Sequence, residues 1–239
     1  MSDASAPWCL DDAVFIRPDN PPDSQWLWER LSEATPEIRS HVARGGLSIG
    51  HTAGQAALFA TAAAAIDKVP ALAEIVKDRV RHIHVLTAPP GCDISHSEPH
   101  WADRIFISIP ERSDRVGALR LAENVIHEAM HLHLTVYEHN RPLVRDLIGQ
   151  IHSPWRQAPR PYGGVLHGLF VFTCLREYFA RLSQDQELVA VRHICRRLQE
   201  IGAEIAQIDI KHLSAGLTDA GQALAVHLLQ GTSSPSKTE

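Results

Sequence analysis

Residues 123–138 run ENVIHEAMHLHLTVYE and hold His127, Glu128 and His131 in the order H-E-x-x-H. Residues four apart share one face of an α-helix, so the two imidazoles can meet a single metal ion. Glu128, one step round, is within reach of water bound to that ion. The longer H-E-x-x-H-x-x-G-x-x-H pattern fails, because Leu134 and Tyr137 stand where it needs glycine and histidine. Glu138 lies on the right face but seven residues beyond His131. That is roughly 10 Å along the axis, which puts it too far away to join the same ion. His133 points to another face and is expected to be structural. His152, His167 and Glu177 remain as third ligands, and His167 is the best placed.

His167 directly follows the segment SPWRQAPRPYGGVLHG, residues 153–168. The segment sets Arg156 and Arg160 among Trp155 and Tyr162, close to the expected ligand. A guanidinium offers a bidentate fork for a carboxylate, and aromatic rings can wall a pocket. Two solvated arginines in a proline-rich turn would be the plainer outcome. Interleaving with aromatics beside a metal ligand favours anion binding.

These residues need elements to place them. A long helix over about 114–139 carries the H-E-x-x-H face, and a second over 164–182 carries His167. Upstream, QWLWERLSEA predicts a helix capped by Asp23 or Ser24 after the turn-rich PDNPPDS. Thr35-Pro36-Glu37 starts another, with proline at the first position where its missing N–H costs nothing. A small-residue helix is expected over 51–67, and strands over 81–88 and 103–111, the first alternating Ile83 and Val85 against His82 and His84. Between the two main helices, RDLIGQIHSPWRQAPRPYGG predicts a short extended piece and a loop. Ser183 and Gln186 form a capping box for a helix to about 206, and Thr218 caps a last one to about 230. The expected fold class is α+β, mostly helical, with the H-E-x-x-H helix packed on a small β-sheet. It would form one domain over 1–230, followed by a disordered tail, 231–239.

The 239 residues are 44% hydrophobic and 21% charged, with a net charge of −5. No basic field draws such a chain to nucleic acid or an acidic membrane. The amino terminus lacks a basic, apolar signal, and the run AALFATAAAAI is too short to span a bilayer. The four cysteines show no C-x-x-C pair. Together these predict a cytoplasmic protein with reduced thiols and no nucleic-acid or membrane partner.

HEAMH, followed by SPWRQAPRPYGGVLHGLFVF and the late LTDAGQAL, resembles the H-E-x-x-H peptide-modification proteins that accompany ribosomally made, post-translationally modified peptides. That family comprises iron(II)- and 2-oxoglutarate-dependent peptide β-hydroxylases. The likeness covers mainly residues 119–182. It implies His127, His131 and His167 as ligands of Fe(II), Arg156 or Arg160 at the 2-oxoglutarate carboxylate, and a precursor peptide as substrate. The alternative is a zinc metallopeptidase with Glu128 as general base. Three neutral histidines depart from the usual two-histidine, one-carboxylate iron site, which keeps zinc in view. The arginine pair favours the oxygenase, in which Glu128 becomes a residue that orients water or a ligand. In either case an extended substrate peptide is expected to pair along an exposed edge of RIFISIPE.

Overall fold

The computed structural model describes residues 25–183 and 188–231. The expected caps at Asp23 or Ser24, the Gln186 half of the capping box and residues 232–239 of the tail expected from 231 lie outside these residues. The fold is α+β and mostly helical, as the composition of segments predicts. Among the described residues no helix is long and apolar enough to cross a membrane. By its internal contacts the chain divides into two units. The first is the described chain up to His96 together with Asp103–Ile126, and the second is Ser97–Ala102 together with His127 onward.

In the first unit, α1 (Pro36–Arg44) starts as its sequence predicts: Thr35 Oγ1 accepts a hydrogen bond from Ile38 N at 3.3 Å. The strand β1 (Ser48–Ile49), helices α2 (Ala56–Asp67) and α3 (Pro70–Arg79), and strands β2 (His82–Thr87), β3 (Ser95–Ser97) and β4 (Arg104–Ser108) follow. The sheet order is β1-β2-β4-β3, with β1 antiparallel and β4 parallel to β2. Phe59, Ile66, Val76, Ile83, Ile105, Phe106 and Ile107 are all fully buried.

Four expectations are corrected here. The QWLWERLSEA helix is only a 3-10 turn, Trp28–Arg30. Leu31 instead bridges Ile83, and Ser32 N donates to Ile83 O at 3.0 Å, so sheet pairing outweighs helical propensity. Helix α2 starts at Ala56 rather than 51, because Gly54 adopts a positive φ of 77° just before it. Third, RIFISIPE is no free edge. β4 lies between β2 and β3, and Ser108 N donates to Ile94 O at 2.7 Å, so a peptide finds no unpaired backbone there. β2 does not alternate either: His84 is as buried as Ile83 and Val85.

Helix α4 (Arg115–Asn140) carries the H-E-x-x-H motif, and its first half belongs to the first unit. Asp114 caps it, its Oδ1 accepting from Gly117 N at 3.0 Å. In the second unit, β5 (Gln150–Ser153) and β6 (Ala158–Pro161) form an antiparallel hairpin where only a short extended piece was expected. Helices α5 (Tyr162–Leu182), α6 (Leu188–Ile205), α7 (Ile210–Ala215) and α8 (Asp219–Gly231) complete it. α5 is central, packing against α6, α7, α8 and both hairpin strands, with Val165, Leu169, Val171, Leu175 and Phe179 fully buried. Thr218 does cap α8: its Oγ1 accepts from Gly221 N at 3.2 Å.

Candidate metal centre

The one-turn spacing on α4 brings the rings of His127 and His131 to 4.9 Å between centroids. Burial pushes the His127 imidazolium down to about 4, helped by the charges of Arg156 and Arg197. Burial, with His127, His167 and Arg156 adding to it, pushes His131 down to about 2. Both rings are therefore neutral at pH 7, the state in which imidazole offers a lone pair to a metal.

Early in α5, His167 meets His131. Its ring stacks with that of His131 at an interplanar angle of 15°, and the two Nδ1 atoms are 3.3 Å apart. His167 Nε2 donates to Glu138 Oε2 at 2.8 Å. That bond fixes the tautomer and leaves the Nδ1 of His167 as a lone pair aimed at His131. Either a proton on His131 Nδ1 or a shared cation satisfies the pair. Two nitrogens about 2.1 Å from one tetrahedral ion stand about 3.4 Å apart, so the spacing fits a cation.

Glu138 thus belongs to the site after all. The helix distance that excludes it as a ligand of the His127–His131 ion is sound, but α5 brings a histidine to it instead. No signal along α4 alone could show this, because the partner is 29 residues away. The other third-ligand candidates are not brought in. His152 is exposed on β5, and Glu177 accepts from Arg181 Nε at 2.6 Å. His133 stacks on Phe170, as a structural histidine would.

Glu128 is only 3% exposed. Its Oε2 accepts from Ser97 Oγ at 2.8 Å, and its Oε1 stands 3.9 Å from His127 Nε2. Ser97 carried no signal in the sequence, since a lone serine after a turn has no recognisable pattern.

The hairpin builds the anion wall. Its tip turns at Gln157, which holds a left-handed φ of 50°, an uncommon conformation for a residue with a side chain. The turn lets Trp155 stack on Phe172 with centroids 5.0 Å apart and rings nearly parallel, while Phe172 meets His127 edge-on. Gly168 is required beneath the indole, since a Cβ there would come within 2.6 Å of the ring. His127, His131, Trp155, Arg156, Arg160 and Phe172 surround a cavity of about 200 Å³. Its positive wall also includes the first turn of α5, where Pro161 supplies no side-chain cap and the amides lack helical partners. Tyr162 does not line it. Its ring lies over Gly149 and Gly216, where any Cβ would collide with it. A second cavity of about 540 Å³ adjoins the first, sharing His131, Arg160 and Gly164 and adding His167 and Glu138.

A comparison with protein-family models gives no match, and a comparison with curated proteins gives none. The case for function therefore stands on the site itself.

His127 and His131 offer two buried neutral imidazoles on the smaller cavity, and His167, oriented by Glu138, meets His131 from the larger one; among the described residues the three do not converge on one point. The smaller cavity carries two guanidinium groups, which suits a small dianion beside a metal.

Proposed function

We propose that this protein is an Fe(II)- and 2-oxoglutarate-dependent oxygenase that hydroxylates a side-chain β-carbon in a ribosomally synthesised precursor peptide. The observation that carries this reading is the pairing of His127 and His131 with Arg156 and Arg160 around one small cavity. A hydrolase has no obligatory use for the arginines.

In this reading His127, His131 and His167 hold the iron, which when bound supplies the activation of dioxygen. Arg156 and Arg160 take the distal carboxylate of 2-oxoglutarate as charge-assisted hydrogen-bond donors. Trp155 and Phe172 exclude water from that side and strengthen every charge interaction within it. Glu138 holds the proton on His167 Nε2, which keeps Nδ1 free to bind. The balance is simple: one atom of dioxygen enters the peptide C–H bond, the other enters succinate, and carbon dioxide leaves.

Glu128 supports the oxygenase over the zinc peptidase. As general base it would have to take a proton from metal-bound water. Instead its carboxylate accepts from Ser97 and, among the described residues, lines neither cavity. It ties the middle of α4 to Ser97.

The test is protein purified without oxygen, then supplied with iron(II), 2-oxoglutarate and the precursor peptides encoded near its gene. The expected products are succinate and a peptide heavier by one oxygen atom. Arg156→Ala and Arg160→Ala should each raise the KM for 2-oxoglutarate by about tenfold or more, the cost of one charged hydrogen bond. Peptide fragments formed without oxygen would overturn the reading in favour of a zinc peptidase.

A further inference from the structure

We infer that the larger cavity takes the substrate as an extended peptide segment presenting an apolar side chain, gripped by Leu147 and Ile148. The inference rests on the oxygenase reading for its chemistry. Its shape argument comes from the second unit alone.

The two adjoining cavities differ in size and wall. The smaller, at about 200 Å³, suits a short dicarboxylate between arginines and aromatic rings. The larger, at about 540 Å³, is in the range of cavities that hold a bulky ligand. It reaches His131 from the side of His167, and Pro142, Val144, Leu147 and Pro161 give it apolar walls. Its two acidic groups are already engaged. Glu138 accepts from His167, and Asp146 Oδ1 accepts from Ile148 N at 3.0 Å and Gly149 N at 2.9 Å. Neither is left to select a basic side chain, and the cation on this wall, Arg160, is shared with the smaller cavity.

The rim supplies the second observation. Leu147 is 79% and Ile148 91% exposed, the two most exposed large apolar side chains among the described residues. Such adjacent apolar side chains beside a cavity mark a binding surface. The turn that displays them is pinned. Asp146 closes it from inside, and both Arg145 N and Asp146 N donate to Gly216 O, at 2.9 and 3.1 Å. Leu147 belongs both to this rim and to the cavity wall, so one ligand can touch both. A free amino acid could fill the cavity but not cover Ile148, whereas a chain running out of the cavity covers it.

The experiment is calorimetric titration of the full chain, free of metal and 2-oxoglutarate, with short Gly-Ser peptides. Each peptide carries one central Val, Phe, Lys or Gln. The Val and Phe peptides should bind about tenfold tighter than the Lys and Gln peptides, a difference of about 1.4 kcal/mol. Leu147→Ser with Ile148→Ser should weaken the Val and Phe peptides by roughly fivefold or more through lost apolar contact. Both residues are exposed, so an unchanged melting curve will check that the variant folds. Val144→Trp, which fills the cavity, should abolish binding. Equal binding of all four peptides, no binding of any, full binding of free valine, or wild-type affinity in the double variant would each overturn the inference. So would a dimer that the double variant dissolves, which would give the patch to a second copy. Succinate formation by the wild type separates the two readings. Selective peptide binding without 2-oxoglutarate turnover leaves this inference standing and sinks the oxygenase. Turnover without selective binding does the reverse.

Discussion

His167 shows how one side chain can join two others that are far from it in sequence. Its Nε2 is committed to Glu138 and its Nδ1 to His131. Removing the carboxylate frees the ring to rotate and lets the proton move to the nitrogen that should bind. Glu138→Ala is therefore expected to weaken metal binding by about 10–100-fold, with Glu138→Gln in between because its amide oxygen can still accept. Cobalt(II) titration, read in the visible spectrum, measures both variants, and His167→Ala should lose the tightly held ion altogether. Wild-type affinity in Glu138→Ala would remove the residue from the site. At this scale the sequence was informative about His127, His131 and Arg156, which do line one cavity. It was silent on Ser97 and misleading on Tyr162, because both depend on what the fold lays beside them.

At the scale of elements, the length of α4 matters as much as its motif. The helix must begin correctly at Asp114 to deliver His127, His131 and Glu138 on one face more than three turns later. The Asp114 carboxyl is held down to about 2, first by the hydrogen bond from Arg112 and then by the Gly117 amide. A depressed carboxyl contributes its stability above its ordinary 3.8, and the contribution is lost as pH falls from there toward 2. The group is exposed, so the cap rather than the ion pair should dominate. Asp114→Ala is expected to cost about 1 kcal/mol in denaturant unfolding at pH 7. The penalty should vanish near pH 2, and a constant penalty across that window would contradict the assignment. Long periodic helices such as α4 and α5 were legible to within two residues. The short pieces were not: β1, β3, α3, α7 and the β5–β6 hairpin are held by partners rather than by their own propensity.

For the molecule as a whole, acid stability is set partly by histidines that fold in their neutral form. His84 is the clearest in the first unit. It is 1% exposed, its Nδ1 donates to Ser32 O at 3.0 Å, and its ring lies against Phe106. Burial lowers its affinity for protons below the ordinary 6.5. The unfolded chain then binds a proton that the folded chain refuses, so stability should fall as pH drops below 6.5. His84→Leu should start less stable at pH 7, having lost a hydrogen bond, yet decline less between pH 7 and 5. Parallel slopes in chelator-treated protein would show that His84 does not contribute. Alternation in β2 suggested a half-exposed strand, and the burial of His84 reveals why that failed. Side chains on both faces of β2, Ile83 to Leu86, are buried, which a period of two in the sequence cannot report.

The stacking of Trp155 on Phe172, with Phe172 against His127, has a practical consequence. An indole held that close to a paramagnetic or visibly absorbing ion passes its excitation to the ion and goes dark. The chain has five tryptophans, and among the described residues only Trp155 lines the cavity with His127 and His131. Filling the site with cobalt(II) should therefore dim a fraction of the emission that Trp155→Phe no longer shows. In the proposed oxygenase, the protein would carry its own lamp for the state of the metal.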